Sequence, residues 1–234
     1  MGYYPVFLKS ESLKVFLAGA GEVGRRKASS LLQSGLGDLL WVDPQVSREA
    51  LAAMPGYCGG PDFSVLLESP GLRYEQRAAC EQDLEGRSLA FAATGCRKTN
   101  AMLAEACRAR GILCNVIDAP DEGDFIAPAH FRQGDILVAF ATGGHSPALA
   151  RRLREDLQGW LGGRYGPLLD LLARLRPLLL ELGAPSAENR EVFRALVNSE
   201  LAGALARGDQ EAARAILAGC LPEELRSRIG EILS

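Results

Sequence analysis

Lys14-Val15-Phe16-Leu17-Ala18-Gly19-Ala20-Gly21-Glu22-Val23-Gly24 is the stretch on which the fold turns. Its first half is a short apolar run ending in glycine, the pattern of a strand buried on both faces. Gly19, Gly21 and Gly24 then follow the spacing G-x-G-x-x-G. There the first glycine allows a tight turn and the second lets backbone approach a pyrophosphate. The third lets helix and strand pack closely. From Glu22 to Ser34 the spacing is helical, with Val23, Ala28, Leu31 and Leu32 as an apolar stripe and Gly35 as the stop. Leu39-Leu40-Trp41-Val42 is a second strand, closed by Asp43-Pro44. Strand, glycine turn, helix and strand within about 30 residues make a βαβ unit.

Outward from that unit the alternation continues. Leu89 to Ala93 reads as a strand, Lys98 to Arg110 as a helix and Leu113 to Ile117 as a strand; Ile136 to Phe140 is one more, after a loop from Asp118 to Gly134. The Gly- and Pro-rich stretch from Pro55 to Pro70 reads as loop. Such alternation predicts an α/β fold, a Rossmann-like parallel sheet with helices on both faces. Near residue 146 the composition turns to Leu, Ala, Arg and Glu, with no convincing strand. Ser146-Pro147 is a helix start, a hydroxyl cap followed by proline at the first helical position. Ser186, Asp209 and Leu221-Pro222-Glu223-Glu224 open further helices, and Pro167 and Pro177 are expected to limit how far the Leu-rich stretch runs unbroken.

Composition narrows the function. A net charge of −3 argues against a nucleic-acid or membrane-surface partner, since both usually demand a basic excess. Six cysteines show no C-x-x-C spacing, and the two histidines, His130 and His145, form no ligand cluster with them, so no metal site is expected. With no signal peptide and no apolar run long enough to span a bilayer, the sequence reads as cytoplasmic, with free and mostly buried thiols.

The glycine motif makes Gly19, Gly21, Glu22, Val23 and Gly24 the candidate phosphate-binding turn, because the helix that follows aims its N-terminal amides and positive dipole end at the phosphates. Asp43 stands about 20 residues beyond it, where a carboxylate can accept both ribose hydroxyls and repel a 2′-phosphate. This favours NAD, with Arg48 leaving NADP open; the alternative for Asp43 is a turn aspartate before Pro44.

Further segments carry a resemblance. Tyr4-Pro5-Val6-Phe7-Leu8 ahead of the glycine motif and Arg26-Lys27 is similar to the start of the precorrin-2 dehydrogenase family, the NAD-binding module of siroheme synthases. Phe91-Ala92-Ala93-Thr94 with Asn100 resembles the family's A-A-T…N segment, and Asn115-Val116-Ile117-Asp118 its N-V-x-D motif. Phe125-Ile126-Ala127-Pro128-Ala129 resembles its F-x-x-P-A stretch, and Thr142-Gly143-Gly144-His145-Ser146-Pro147-Ala148-Leu149-Ala150-Arg151 its G-G-x-S-P-x-x-A-R signature. The matches fall in the family's order over residues 4 to 155. The chain departs from the pattern at Gly95-Cys96, where the family usually has two acidic residues, and at Asp43, where it often has a small one. Within these 234 residues the methyltransferase domain of the multifunctional members is not expected.

The resemblance implies NAD-dependent oxidation of precorrin-2 to sirohydrochlorin by a homodimer. The alternation and the change of composition place a dinucleotide-binding domain over 1–118 and a helical domain over 149–234, and the resemblance implies that 119–148 between them is a linking and dimerisation segment. The chemistry needs a base for the proton leaving the macrocycle. Asp118 is the candidate, being both the aspartate of N-V-x-D and the residue just past a strand, at the carboxyl end where open α/β sheets bind ligands. Thr94 is expected against the cofactor. Asn115, Thr142, Gly143, Gly144, His145, Ser146 and Arg151 are expected against the substrate, whose eight carboxylates also make Arg132, Arg152 and Arg154 candidates. Some family members also insert Fe²⁺ into sirohydrochlorin, which leaves ferrochelatase activity open here. Two other readings stay in view: a Rossmann dehydrogenase for another small metabolite, and a non-enzymatic module that senses redox state or ligand through bound NAD.

Overall fold

The structure, a computed structural model, describes residues 2–57, 60–143, 146–183 and 185–233. The chain divides into two units, Met1–Ala127 and Pro128–Ser234.

The first unit holds β1 (Lys14–Ala18), α1 (Glu22–Gln33), β2 (Asp38–Val42), the short helices α2 (Arg48–Ala52) and α3 (Phe63–Leu66), β3 (Leu72–Glu75), β4 (Leu89–Ala92), α4 (Arg97–Arg110) and β5 (Leu113–Val116). The five strands are parallel, in the order β3-β2-β1-β4-β5. Alternate residues of the strands feed two cores. On one face Phe16, Ala18, Leu40, Ala90 and Cys114 pack with Leu103 and Cys107 of α4; on the other Val15, Leu17, Trp41 and Phe91 pack with Ala28 of α1, Leu51 and Phe63. This is the Rossmann-like architecture that the alternation predicts.

Register decides where the strands deliver their last residues. Ala18 pairs with Val42 on one side and Ala92 on the other, and Ala92 pairs with Val116. Gly19, Asp43, Ala93 and Ile117 are therefore the next residues of four adjacent strands, at the carboxyl edge of the sheet.

Two features differ from the sequence reading here. The stretch from Pro55 to Pro70 holds α3, and Leu72–Glu75 forms an edge strand. β3 has no fully buried residue, so it lacks the apolar run that marks the inner strands. Among the described cysteines only Cys107 and Cys114 are buried; Cys80 and Cys220 are half-buried and Cys96 is exposed, against the expectation of mostly buried thiols. Cys58 lies outside the described residues.

In the second unit β6 (Ala129–Gln133) and β7 (Ile136–Phe140) form an antiparallel ribbon, so the expected loop ends in a strand. The turn between them is Gly134-Asp135, with Gly134 at φ 56°. Helices α5 (Pro147–Glu181), α6 (Ser186–Asn198), α7 (Leu201–Ala206), α8 (Gln210–Cys220), α9 (Glu223–Arg226) and α10 (Ile229–Leu233) follow. Ser146 caps α5 by accepting from the Leu149 amide at 3.1 Å, and Asp209 caps α8 in the same way through Ala212.

Contrary to expectation, α5 is one helix of 35 residues with Pro167 and Pro177 inside it. Each interior proline removes an N–H and costs about 3 kcal/mol. Leu168, Leu171, Leu175 and Leu179, spaced by three and four, are all buried against α6 to α10. Burial of each leucine is worth about 1.5–3 kcal/mol, enough together to carry the helix through both breaks. Among the described residues no helix is long and apolar enough to cross a membrane. Restoring the N–H with Pro177→Ala is expected to raise the thermal midpoint followed by circular dichroism, as the cost at that position is local.

Candidate functional site

Glycine is required at the first turn by conformation and by space together. Gly19 has φ +105°, and a Cβ there would stand 2.3 Å from the Ala93 carbonyl oxygen at the end of β4. Gly24 is equally tight, since its Cβ would meet the Gly19 carbonyl oxygen at 2.1 Å. Nothing of the protein lies within 4 Å of a Cβ built on Gly21, so there the backbone is open to an approaching group. These three environments match the roles assigned to the motif, and Glu22 and Val23 begin α1 beside it.

The turn is also tied to β2. The Gly19 amide donates to Val42 O at 2.8 Å, and the buried Trp41 indole donates to Gly19 O at 2.8 Å. Asp43 accepts the Ala20 amide on Oδ2 at 2.7 Å, and those of Gln45 and Val46 on Oδ1 at 2.8 and 2.9 Å. A carboxylate has about four acceptor positions. Three are taken, so Asp43 keeps one, on Oδ2, for a ribose hydroxyl. Across from it the Tyr74 phenol is pushed up to about 12 by burial and then by the Asp43 charge. Arg48 is held away from the turn by Leu67 O at 2.7 Å and Glu68 at 3.2 Å.

At the ends of β4 and β5 a second cluster forms around Asn100, a fully buried residue of α4. Its Oδ1 accepts from the Thr94 hydroxyl at 2.6 Å and the Thr94 amide at 3.2 Å. Its Nδ2 donates to Thr94 O at 3.1 Å and to Asp118 Oδ1 at 2.9 Å. Two acceptor positions and two donors are thus all used, which fixes the amide's orientation. Asp118 is left with Oδ2 exposed, 3.8 Å from Arg97 Nε. Asn100 was legible only as part of the A-A-T…N resemblance, and its tie to Asp118 needed the fold, because the two are 18 residues apart.

Asn115 turns instead to the segment after it: its Nδ2 donates to Phe125 O at 2.8 Å. Asn115 also lines a cavity of about 200 Å³ together with Val23, Arg26 and Lys27 of α1, and with Ile117 and Pro120. Burial, then repulsion by Arg26, lowers the Lys27 ammonium from 10.5 to about 8.

Thr142, Gly143, Ser146 and Arg151 belong to the second unit. Gly143 has φ +63°, Thr142 donates to Ser146 O at 3.2 Å, and Arg151 pairs with Glu155 at 3.1 Å in an exposed position. Gly144 and His145 lie outside the described residues. The structure thus brings Gly19, Gly21, Gly24, Asp43, Thr94, Asn115 and Asp118 to one unit.

Two outcomes follow from this geometry. Asn100→Ala strips Thr94 and Asp118 of their shared partner and should cost about 1–3 kcal/mol in chemical denaturation. Lys27 binds its proton less tightly in the folded chain than in the unfolded one. Between pH 8 and 10.5 the unfolded state holds more protons, so stability rises with pH. Over that window wild type should gain about 1–3 kcal/mol relative to Lys27→Gln in parallel urea titrations.

The family model described as "Putative NAD(P)-binding" matches residues 6–129. A siroheme synthase of Citrobacter koseri is 33% identical over 234 residues, covering 100% of this chain and 48% of that protein. Siroheme synthase 2 of Klebsiella pneumoniae subsp. pneumoniae is 34% identical over the same length and share. The chain spans about half the length of the curated relatives it matches. Among solved structures, SirC, a precorrin-2 dehydrogenase, is similar at TM-score 0.68 and 22% identity, over 91% of this chain and 100% of that one, a likeness of fold. With more than half of its length matched by the model, and with the glycine turn built as described, this chain belongs to the NAD(P)-binding family.

Proposed function

We propose that the chain oxidises precorrin-2 to sirohydrochlorin with NAD⁺ as acceptor, a step in siroheme formation. The observation that carries this reading is the setting of Asp118. The sheet register puts it at the same edge as the glycine turn, and Asn100 holds one carboxylate oxygen while the other, on an exposed side chain, faces Arg97 at 3.8 Å. The substrate comes from the relatives: siroheme synthases align along the whole chain, and the similar fold is that of a protein named precorrin-2 dehydrogenase.

The open face at Gly21, the amide-rich start of α1 and the remaining acceptor position of Asp43 fit a dinucleotide. When bound, NAD⁺ supplies the hydride acceptor. Glycine-turn amides hold the pyrophosphate, and Asp43 Oδ2 accepts one ribose hydroxyl. The negative charge of Asp43, with Arg48 engaged elsewhere, favours NAD over NADP. Precorrin-2 loses two electrons and two protons, one proton leaving with the hydride. Asp118 Oδ2 takes the other, while Asn100 keeps the carboxylate oriented. Thr94 shapes the edge between them. Asn115 and the segment Thr142, Gly143, Gly144, His145, Ser146 and Arg151 are assigned to the substrate, whose carboxylates suit amides and guanidinium. We assign the chain to the cytoplasm as a homodimer, with no nucleic-acid or membrane partner; the free thiols of the described cysteines are in keeping with a reducing compartment.

Anaerobic incubation of the protein with precorrin-2 and NAD⁺ tests this, the sirohydrochlorin absorption being followed with time. NAD⁺-dependent conversion is expected, falling about 100-fold or more in Asp118→Ala with NADH affinity unchanged. A folded protein that binds NADH without converting precorrin-2 would leave a sensing module as the better reading.

A further inference from the structure

The cavity beside β5 carries two positive charges that the rest of the unit does not answer. Arg26 and Lys27 line it from α1, and among the described residues neither side chain makes a hydrogen bond or ion pair. Asn115, Val116 and Ile117, the residues that lead into Asp118, also line it. An ammonium taken out of water without a counter-charge is costly, and an anion entering the cavity removes that cost. The chain as a whole carries a net charge of −3, so this local excess of cations runs against the general balance.

We propose that this cavity is an anion subsite, in which Lys27, assisted by Arg26, receives a carboxylate or phosphate oxygen while Asn115 borders it. Two ligands of the proposed reaction carry such groups: the tetrapyrrole with its carboxylates and the dinucleotide with its phosphates. Only the choice between those two rests on the function proposed above; the subsite itself rests on the cavity and its unpaired cations. The depressed ammonium of Lys27 belongs to the ligand-free cavity, and an anion there would draw it back toward its ordinary range.

Lys27→Gln keeps the first part of the aliphatic stem and replaces the charged end with a neutral amide. Two probes are titrated against wild type, Lys27→Gln and Lys27→Arg: sirohydrochlorin by absorption and NADH by fluorescence. The variant should lose at least about tenfold in affinity for one probe, and Lys27→Arg should recover most of it, as one close charge pair is worth that much. Loss confined to sirohydrochlorin identifies a substrate carboxylate; loss confined to NADH identifies a phosphate. At neutral pH the thermal midpoint of Lys27→Gln should stand at or above that of wild type, which separates lost binding from lost folding. If wild type binds no sirohydrochlorin, the proposed function fails while the NADH arm still decides the subsite. Affinities unchanged within twofold for every probe that wild type binds would overturn the subsite.

Discussion

The close approach of the Gly19 turn to the end of β4 is the constraint on which the site depends. A side chain at Gly19 would overlap the Ala93 carbonyl, and one at Gly24 would overlap Gly19 itself. Because no Cβ intervenes, β1 and β4 stay paired to their last residues, Ala18 and Ala92, and α1 starts directly after the turn. Trp41 and Asp43 then fasten the same turn from β2, so three neighbouring strands hold the few backbone amides that would meet a pyrophosphate. Preorganisation of this kind means little ordering remains when the ligand arrives.

The same economy of ties shapes the second cluster. Asn100 comes from α4, not from a strand end, yet its four hydrogen bonds connect the residues following β4 and β5. A buried amide with every donor and acceptor satisfied is rigid, whereas one left half-satisfied would destabilise the unit. Asp118 therefore has one oxygen held by Asn100 from the interior and the other facing the Arg97 guanidinium at the sheet edge.

Much of this was legible in the sequence because local patterns carried it. The apolar runs at 15–18, 39–42 and 89–92 mark inner strands, and the glycine spacing locates the turn between β1 and α1. β3 escaped because an edge strand buries too little to show a pattern, and α5 defied its prolines because leucine packing outweighs local propensity. Contacts between distant residues were not legible at all: the bond of Asn100 to Asp118, the engagement of three Asp43 acceptor positions and the cavity at Lys27 exist only once the strands are in register. The domain limits drawn at 118 and 148 came from where the strand–helix alternation ends and the composition turns to Leu, Ala, Arg and Glu; the structure divides the chain into Met1–Ala127 and Pro128–Ser234.

The most direct test of the account is a crystal structure of the chain with NAD⁺ bound. The account predicts the pyrophosphate over Gly21 at the start of α1, a single ribose hydroxyl on Asp43 Oδ2, and the nicotinamide at the edge carrying Thr94 and Asp118. A dinucleotide bound elsewhere, or one leaving Gly21 and Asp43 untouched, would contradict it.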